Sequence, residues 1–308
     1  MKNFILLFSF VSIFTNAQIN RFFYEYKYIP DTTDPSNVKK EMMLLDVDKK
    51  GSDYYSHEKY ISDSILNATL EKQMQAALSS GNFNFNTQNI KEGGEVSFRV
   101  TKQYPNYETH LFQSVGSERY KILAETKPKW NILPNKEKIG EYNTQKATAS
   151  FGGREWTAWF TTDIPIQDGP YKFSGLPGLV VKVEDAQKQH VMTLVGNKIT
   201  KEISKEEMQK TDLPSNIKMT KIGDEEIEVT EAKFKKVWKD YLNDPAKSLR
   251  QRMSSIGGSS GNSNTLTIIA GKDGKPLGNN DQALREIEKR ERENLKKNNN
   301  PIEPDLFK

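Results

Sequence analysis

Residues 163–185 read DIPIQDGPYKFSGLPGLVVKVED, and this stretch decides how the chain folds around it. Three prolines and three glycines fall within it, and because proline fixes φ while glycine admits positive φ, they dictate one backbone path. A loop that folds inward must also satisfy its backbone polar groups internally. Apolar residues lie between the turn residues: Ile164, Ile166, Tyr171, Phe173, Leu176 and Leu179. This pattern predicts a rigid corner that turns inward and positions the strand beginning at Leu179.

The sequence on both sides of this corner alternates between apolar and polar residues over short segments. From Phe22 to Ile29, the tyrosines Tyr24, Tyr26 and Tyr28 fall on one side, which is typical of a half-buried strand. Turn residues recur about every ten residues, which indicates an antiparallel meander rather than βαβ units. Further strands are predicted at 41–47, 52–60, 96–103, 108–114, 119–125, 130–133, 141–151, 155–161, 179–184 and 190–195.

The period changes from two to the helical value at residues 64–78, and again near the end of the chain. Helices are predicted to begin at Ser204 as a cap, to comprise Thr230 with 233–242, and to cover 281–297; a strand is predicted at 265–269. The predicted fold class is mainly β (α+β). It comprises a large curved antiparallel sheet, shaped as a half-barrel, with one inserted helix and C-terminal helices.

Three regions are predicted: a signal peptide over 1–17, a β-rich domain over 18–245, and a flexible linker with a charged helical tail over 246–308. Met1-Lys2-Asn3, an apolar run and Ala17 form the pattern of a secretory signal. The run is too short to span a bilayer, which needs about 20 residues. We therefore expect cleavage after Ala17, export to the periplasm or the exterior of a bacterial envelope, and no transmembrane span.

The C-terminal region is separated from the rest by Gly, Ser and Asn residues at 254–264, which are typical of a linker. Its last helix carries Arg and Lys interleaved with Glu, as a solvated helix laced with ion pairs would. The same charges would suit an arm that docks on a partner or on anionic lipid heads.

Composition narrows the classes of function. Lys and Arg total 45 against 41 Asp and Glu, so the net charge of +4 is too small and dispersed to indicate a nucleic-acid binder. The chain has no cysteine, which excludes disulfides, thiolate metal sites and a cysteine nucleophile.

The hexapeptide Gly175, Leu176, Pro177, Gly178, Leu179, Val180 resembles the signature of the GLPGLI family of secreted Bacteroidetes proteins, with Val180 where the family has isoleucine. The flanks are similar as well, over residues 146–147, 153–154, 156–160, 163–166, 169–173 and 301–303. The resemblance extends over roughly 20–245 and the tail. It implies envelope export and a β-rich fold, and because the family has no assigned activity it supplies no catalytic residues.

Four residues near the hexapeptide are candidates for a functional surface: Trp156, Trp159, Asp163 and Tyr171. Trp156 and Trp159 are three apart, so in a strand they would face opposite sides, one in the core and one exposed. Exposed aromatic residues bind sugars, lipids or protein partners. The alternative is that both tryptophans are core residues flanking a bulge.

Chemistry-bearing residues form no recognisable catalytic pattern. Asp163 and Asp168 lie in turn-rich sequence, where Asp commonly bonds to the backbone, although a carboxylate pair could act as acid and base. His57, His110 and His190 are too few and too dispersed to indicate a zinc site. Neither a GxSxG nor a phosphate-loop motif is present, so we expect no catalytic residue, metal or cofactor.

Three functions are compatible with these features. The first is a non-catalytic module that binds or carries a hydrophobic ligand or an envelope partner, which predicts an apolar cavity between sheet and helices. The second is a structural accessory protein of an outer-membrane complex, which predicts a solid core. The third is a hydrolase, which requires acidic or hydroxyl groups converging in a cleft. The sequence does not decide the oligomeric state.

Overall fold

The computed structural model describes residues 18–81, 93–201, 226–251 and 281–308. Twelve strands in these ranges form one open sheet in the order β12-β6-β5-β4-β3-β2-β1-β11-β10-β9-β8-β7. The strands are β1 (Gln18–Tyr28), β2 (Lys39–Val47), β3 (Gly51–Ser56), β4 (Arg99–Gln103), β5 (Glu108–Val115), β6 (Glu118–Leu123), β7 (Asn131–Ile139), β8 (Tyr142–Phe151), β9 (Arg154–Thr161), β10 (Leu179–Asp185), β11 (His190–Lys201) and β12 (Glu226–Thr230).

Three helices have bounds within the described ranges: α1 (His57–Ser80), α2 (Glu231–Asn243) and α3 (Asp281–Lys297); residues 247–251 are helical as well. All strand pairings are antiparallel except that of β12 with β6, which is parallel. The predicted mainly β fold, with a large antiparallel sheet, an inserted helix and C-terminal helices, is confirmed. Among the described helices, none has both the length and the apolarity needed to cross a membrane.

β1 lies at the centre of the sheet because its tyrosines alternate with polar residues. Tyr24 and Tyr26 are buried on one face, and β1 pairs with β2 on one side and with β11 on the other. We call this the inner face. It is covered by the corner and carries the main hydrophobic core, to which β8, β9 and β10 contribute Ala147, Trp156, Phe160 and Val183. The period-two pattern therefore separates the core residues from the opposite, outer face.

The outer face is polar and carries ion pairs between neighbouring strands. Arg21 bonds Asp46 at 2.7 Å between β1 and β2, and Arg99 bonds Asp53 at 2.5 Å between β4 and β3. Lys121 continues the row, bonding Glu228 of β12 at 2.6 Å. Cross-strand pairs of opposite charge stabilise sheet pairing and keep this face hydrated.

Several boundaries differ from the sequence-based prediction. The strand predicted at 52–60 ends at Ser56, whose side chain accepts a hydrogen bond from the Lys59 amide and caps α1. Helix α1 therefore starts seven residues before the predicted 64, since N-capping by serine outweighs the alternation that continues beyond it. The helix predicted after Ser204, the strand at 265–269, the signal peptide and the linker at 254–264 lie outside the described residues.

The corner at residues 163–178 follows a single path fixed by internal hydrogen bonds. The Val180 amide donates to the Asp168 carbonyl at 2.9 Å, and the Leu179 amide donates to the Ile164 carbonyl at 3.2 Å. The buried Tyr24 hydroxyl donates to the Val180 carbonyl at 2.7 Å. These bonds supply the internal partners that an inward-folded loop requires, and Tyr24 ties the corner to the central strand.

Gly178 is the tightest point of the corner. Its φ is +153°, and a Cβ placed there would lie 2.0 Å from the carbonyl oxygen of Thr161. Backbone cannot yield as a flexible side chain can, so only glycine fits where β10 begins. Gly175, with φ +90° and no atom within 4 Å of a Cβ, needs glycine for its backbone angle alone.

We expect Gly178→Ala to lower the free energy of unfolding by about 3 kcal/mol or more, because a steric clash adds to backbone strain. The matched substitution Gly175→Ala should lower the free energy of unfolding by only about 1–2 kcal/mol, because it adds the strain of a left-handed backbone conformation without a steric clash. Urea denaturation of both variants measures the difference. Equal losses would show that the close approach at Thr161 does not constrain the corner.

Candidate functional site

A buried ion pair lies beneath the corner. Nζ of Lys102, on β4, donates to Asp168 Oδ1 at 2.5 Å and to the Gly169 carbonyl at 2.7 Å, and both charged side chains are fully buried. The Tyr104 hydroxyl donates to the other carboxylate oxygen at 2.5 Å. Burial lowers the pKa of Lys102, and the charge of Asp168 opposes that shift. Asp168 thus serves as an acceptor at the centre of a closed structural cluster.

A second buried ion pair joins the corner to the end of the chain. Lys172 Nζ lies 2.6 Å from Glu303 Oε1, and the Tyr171 hydroxyl donates to the same carboxylate at 2.5 Å. Glu231, at the start of α2, lies 3.8 Å from Lys172. Tyr171 has a positive φ of 52°, a conformation uncommon for a bulky residue. Its burial, together with the charge of Glu303, raises the pKa of Tyr171 well above the ordinary value for tyrosine.

A third ion pair lies where β9 faces the β10–β11 hairpin. Arg154 Nη1 donates to Asp185 Oδ2 at 3.0 Å, and Asp185 Oδ1 accepts from the His190 amide at 2.8 Å. Nδ1 of His190 shares a hydrogen bond of 2.7 Å with the Tyr26 hydroxyl. Burial, and secondarily the charge of Arg154, lower the pKa of His190 to about 3. His190 is therefore a neutral core residue.

Aromatic side chains fill the space between the corner and the sheet. Phe173 is fully buried and packs against Trp156, with ring centroids 4.6 Å apart, while Tyr171 packs edge-on against Phe98 at 5.3 Å. A cleft of about 310 Å³ lies instead at the β8–β9 turn, lined by residues 150–155 and Asp305. Protein side chains thus occupy the space beneath the corner, and the apolar cavity expected between sheet and helices stays a prediction.

Two of the four predicted surface residues belong to the core. Trp156 is 1% exposed and Tyr171 is 2% exposed, so the prediction of a surface role is wrong for both. Trp156 points to the inner face, where its indole donates to the Phe151 carbonyl at 3.0 Å, and Tyr171 is turned inward by its positive φ. Trp159 lies half-buried on the outer face, and Asp163 is exposed.

The structure keeps the remaining candidates apart. Asp163 is exposed, whereas Asp168 and Asp185 belong to different buried ion pairs. His57 starts α1 and not a strand as predicted, because Ser56 caps the helix there. Within the described residues, no group of three or more His, Asp or Glu side chains lies close enough to hold a metal ion.

Sequence reasoning missed the segment at 298–308, which we call the strap. It was predicted to belong to a separate tail, but Asn300, Ile302, Glu303 and Leu306 are buried against the body. The predicted division at residue 245 therefore does not hold for the strap, because its buried side chains join the same core. The only sequence signal was the resemblance of residues 301–303 to a family pattern, which gave no position in space.

We expect Asp168→Asn to lower the free energy of unfolding by about 3–5 kcal/mol, since it leaves Lys102 buried without a carboxylate. Adding Lys102→Met should recover part of that loss, because the uncompensated charge disappears. Asp163→Asn, in the same loop but exposed, should change stability by less than about 0.5 kcal/mol. Denaturant titrations measure all three. A double variant no more stable than Asp168→Asn would refute the assigned ion pair.

His190 makes stability depend on pH. Because its pKa is about 3 in the folded chain and about 6.5 when unfolded, acid protonates the unfolded state first, and stability falls as the pH drops below 6.5. We expect the free energy of unfolding of the wild type to fall by about 2 kcal/mol between pH 7 and pH 5 through this residue. His190→Gln should remove most of this slope and His110→Gln little of it. An unchanged slope in His190→Gln would contradict the assignment.

One part of the chain is similar to a known family. Residues 151–182, which run from the end of β8 through β9 and the corner into β10, match the model of a family described as a protein of unknown function, Porph_ging. Two solved structures of PNGF-II, in space groups P21 and C2, share 15% identity with this chain at a TM-score of 0.44. They cover 72% and 75% of this chain, which spans about a third of their length, 33% and 34%. No curated protein matches the sequence.

Proposed function

We propose that this chain is an exported envelope protein that acts without catalysis, by binding a protein partner through its surface. The observation that carries the proposal is the filled space beneath the corner. Phe173, Trp156 and Tyr171 occupy it, and the charged groups there pair with one another. A carrier of hydrophobic ligands would need that volume to be empty.

The charge pairing also weakens support for a hydrolase. A general acid or base must reach the substrate through a cleft. Asp168 is instead enclosed by Lys102 and Tyr104, and Asp185 by Arg154 and the His190 amide. These carboxylates act as structural acceptors, which leaves the exposed surface as the better-supported place for recognition.

Trp159 is the best-supported contact residue on that surface. It lies on the outer face, paired in register with Lys182 on one side and Lys146 on the other, and Nζ of Lys146 is 5.8 Å from its ring centroid. Tryptophan is enriched at the energetic centres of protein interfaces, and the Lys146 ammonium near the ring adds a cation–π attraction that holds the indole in place. Because Trp159 is half-buried, part of its indole remains available to a partner. The side chain is already held by its neighbours, so binding would cost little conformational entropy.

Export is the second part of the proposal. Residues 1–17 carry the signal-peptide pattern, so cleavage after Ala17 would release a mature chain that starts at Gln18. The intact mass of the protein recovered from the envelope fraction should accordingly match a chain that starts at Gln18.

We expect Trp159→Ala to reduce capture of the partner about tenfold or more when the full chain is cross-linked in the cells that make it. Glu137→Ala, exposed on β7, is the matched control and should leave capture unchanged. Quantitative mass spectrometry of the cross-linked species gives the readout, with circular dichroism verifying that both variants are folded.

Two results would overturn the proposal. One is equal capture by wild type and Trp159→Ala, which would remove the outer face from recognition. The other is saturable, one-to-one binding of a fluorescent fatty acid at micromolar concentration, which would restore the carrier hypothesis.

A further inference from the structure

The strap lies in a groove formed by parts of the body that are distant from it in sequence. Its floor consists of the end of β1 with the following Pro30, the β8–β9 turn, and the Tyr171–Lys172 pair of the corner. One wall is α2, where Phe307 packs edge-on against Phe234 and Trp238, with centroids 5.6 and 5.0 Å apart. The strap therefore meets the body as a bound peptide does, through one short segment that turns near its end, where the Leu306 amide donates to the Glu303 carbonyl at 3.0 Å.

The body and the strap are joined by hydrogen bonds to backbone carbonyl groups. Arg154 Nη2 donates to the Pro301 carbonyl at 2.8 Å, and its Nε donates to the Ile302 carbonyl at 3.2 Å. Asn300 donates from Nδ2 to the Ile29 carbonyl at 2.7 Å and from its amide to the Pro30 carbonyl at 3.1 Å. Such contacts fix the register of an extended peptide in a groove.

A carboxylate is required at one position of the groove. The Lys172 side chain is 2% exposed and forms an ion pair with Glu303 at 2.6 Å, and the Tyr171 hydroxyl donates a hydrogen bond to the same carboxylate. Without Glu303, the one other carboxylate of the described residues within 4 Å of this buried cation would be Glu231 at 3.8 Å, outside hydrogen-bonding distance. The groove thus selects a peptide that places Glu between apolar residues, as the strap does with Ile302 and Leu306.

The strap is connected to the groove through a long stretch of chain. Residues 252–280 join the described ranges that end at 251 and begin at 281. An extended chain spans about 3.5 Å per residue, so this stretch can reach on the order of 100 Å. That exceeds the size of a domain, so α3 and the strap that follows it can together reach a neighbouring molecule. There they can repeat the contacts made within one chain, including those of Glu291 with Tyr241 and of Arg292 with the Asn243 carbonyl.

We propose that this groove is a peptide-binding site that accepts the strap of a second copy of the chain. In the exchanged form, Glu303 of one copy pairs with Lys172 of the other, and Arg154 holds the same strap carbonyls. The inference rests on the groove and the strap, and it is independent of Trp159 and of any envelope partner.

Two full-length variants test the exchange. Glu303→Gln has an intact groove and a defective strap, whereas Lys172→Met has a defective groove and an intact strap. When the two variants are mixed, the intact strap of Lys172→Met should enter the intact groove of Glu303→Gln. The amount of heterodimer in the mixture, measured by size-exclusion chromatography with light scattering, should exceed the amount of dimer in either variant alone by at least tenfold. A mixture that stays monomeric while both variants show folded circular dichroism spectra would refute the proposal.

A second measurement does not depend on the stability of these charge variants. Phe307→Ala removes the strap ring that packs against Phe234 and Trp238, and it leaves every groove residue unchanged. Lys308→Ala is the matched control in the same segment, because the Lys308 side chain is exposed and pairs with Asp305 of the strap itself.

A labelled peptide of residues 298–308 should bind full-length Phe307→Ala at least tenfold more tightly than Lys308→Ala, because only the first loosens the resident strap while the groove stays unchanged. The same peptide with Glu303→Gln should lose that binding. Fluorescence anisotropy gives the affinities. Equal binding to the two proteins, or binding that does not depend on the glutamate, would show that the groove does not recognise the strap in trans.

Discussion

The buried ion pair of Lys102 and Asp168 is the constraint on which the rest of the structure depends. Lys102 lies on β4 and Asp168 in the loop between β9 and β10, and β3, β2, β1 and β11 separate these strands in the sheet. The corner must therefore cross the inner face of four strands to reach its partner. Because an isolated buried charge is far more costly than a paired one, any other path of the corner is strongly disfavoured.

The other two buried pairs extend this logic to the chain end and to the hairpin. Lys172 with Glu303 fixes the strap, and Arg154 with Asp185 fixes the β10–β11 turn while holding strap carbonyls. Burying the same volume with apolar residues would be at least as stabilising but less selective. We interpret the three pairs as devices that select one arrangement of an aromatic-rich core, in which Tyr, Phe and Trp could pack in several ways.

Local patterns in the sequence were enough to predict the strands but not their partners. Period-two alternation located β1, β10 and β11, and the helical spacing of apolar residues over 234–242 located α2, because these signals are contained within a few residues. The sequence placed Tyr171 both in the inward-turned corner and on the candidate surface, and its burial confirms the first of these. The strap was missed because Glu303 is 132 residues from Tyr171, and no local period records such a contact.

The proposed contact with a partner must use a surface that is neither buried in the core nor protected at a sheet edge. An open sheet exposes two edges, and both are protected against pairing with other strands. The edge strand β7 contains Pro134, Lys136 and Lys138, and β12 presents Glu226 and Glu228. With charged or proline-bearing edges and an occupied interior, specific contacts fall to the outer face and to the strap groove. In the groove, the resident strap has the advantage of high effective concentration, so a second copy competes only when the chain itself is abundant or its own strap is loosened.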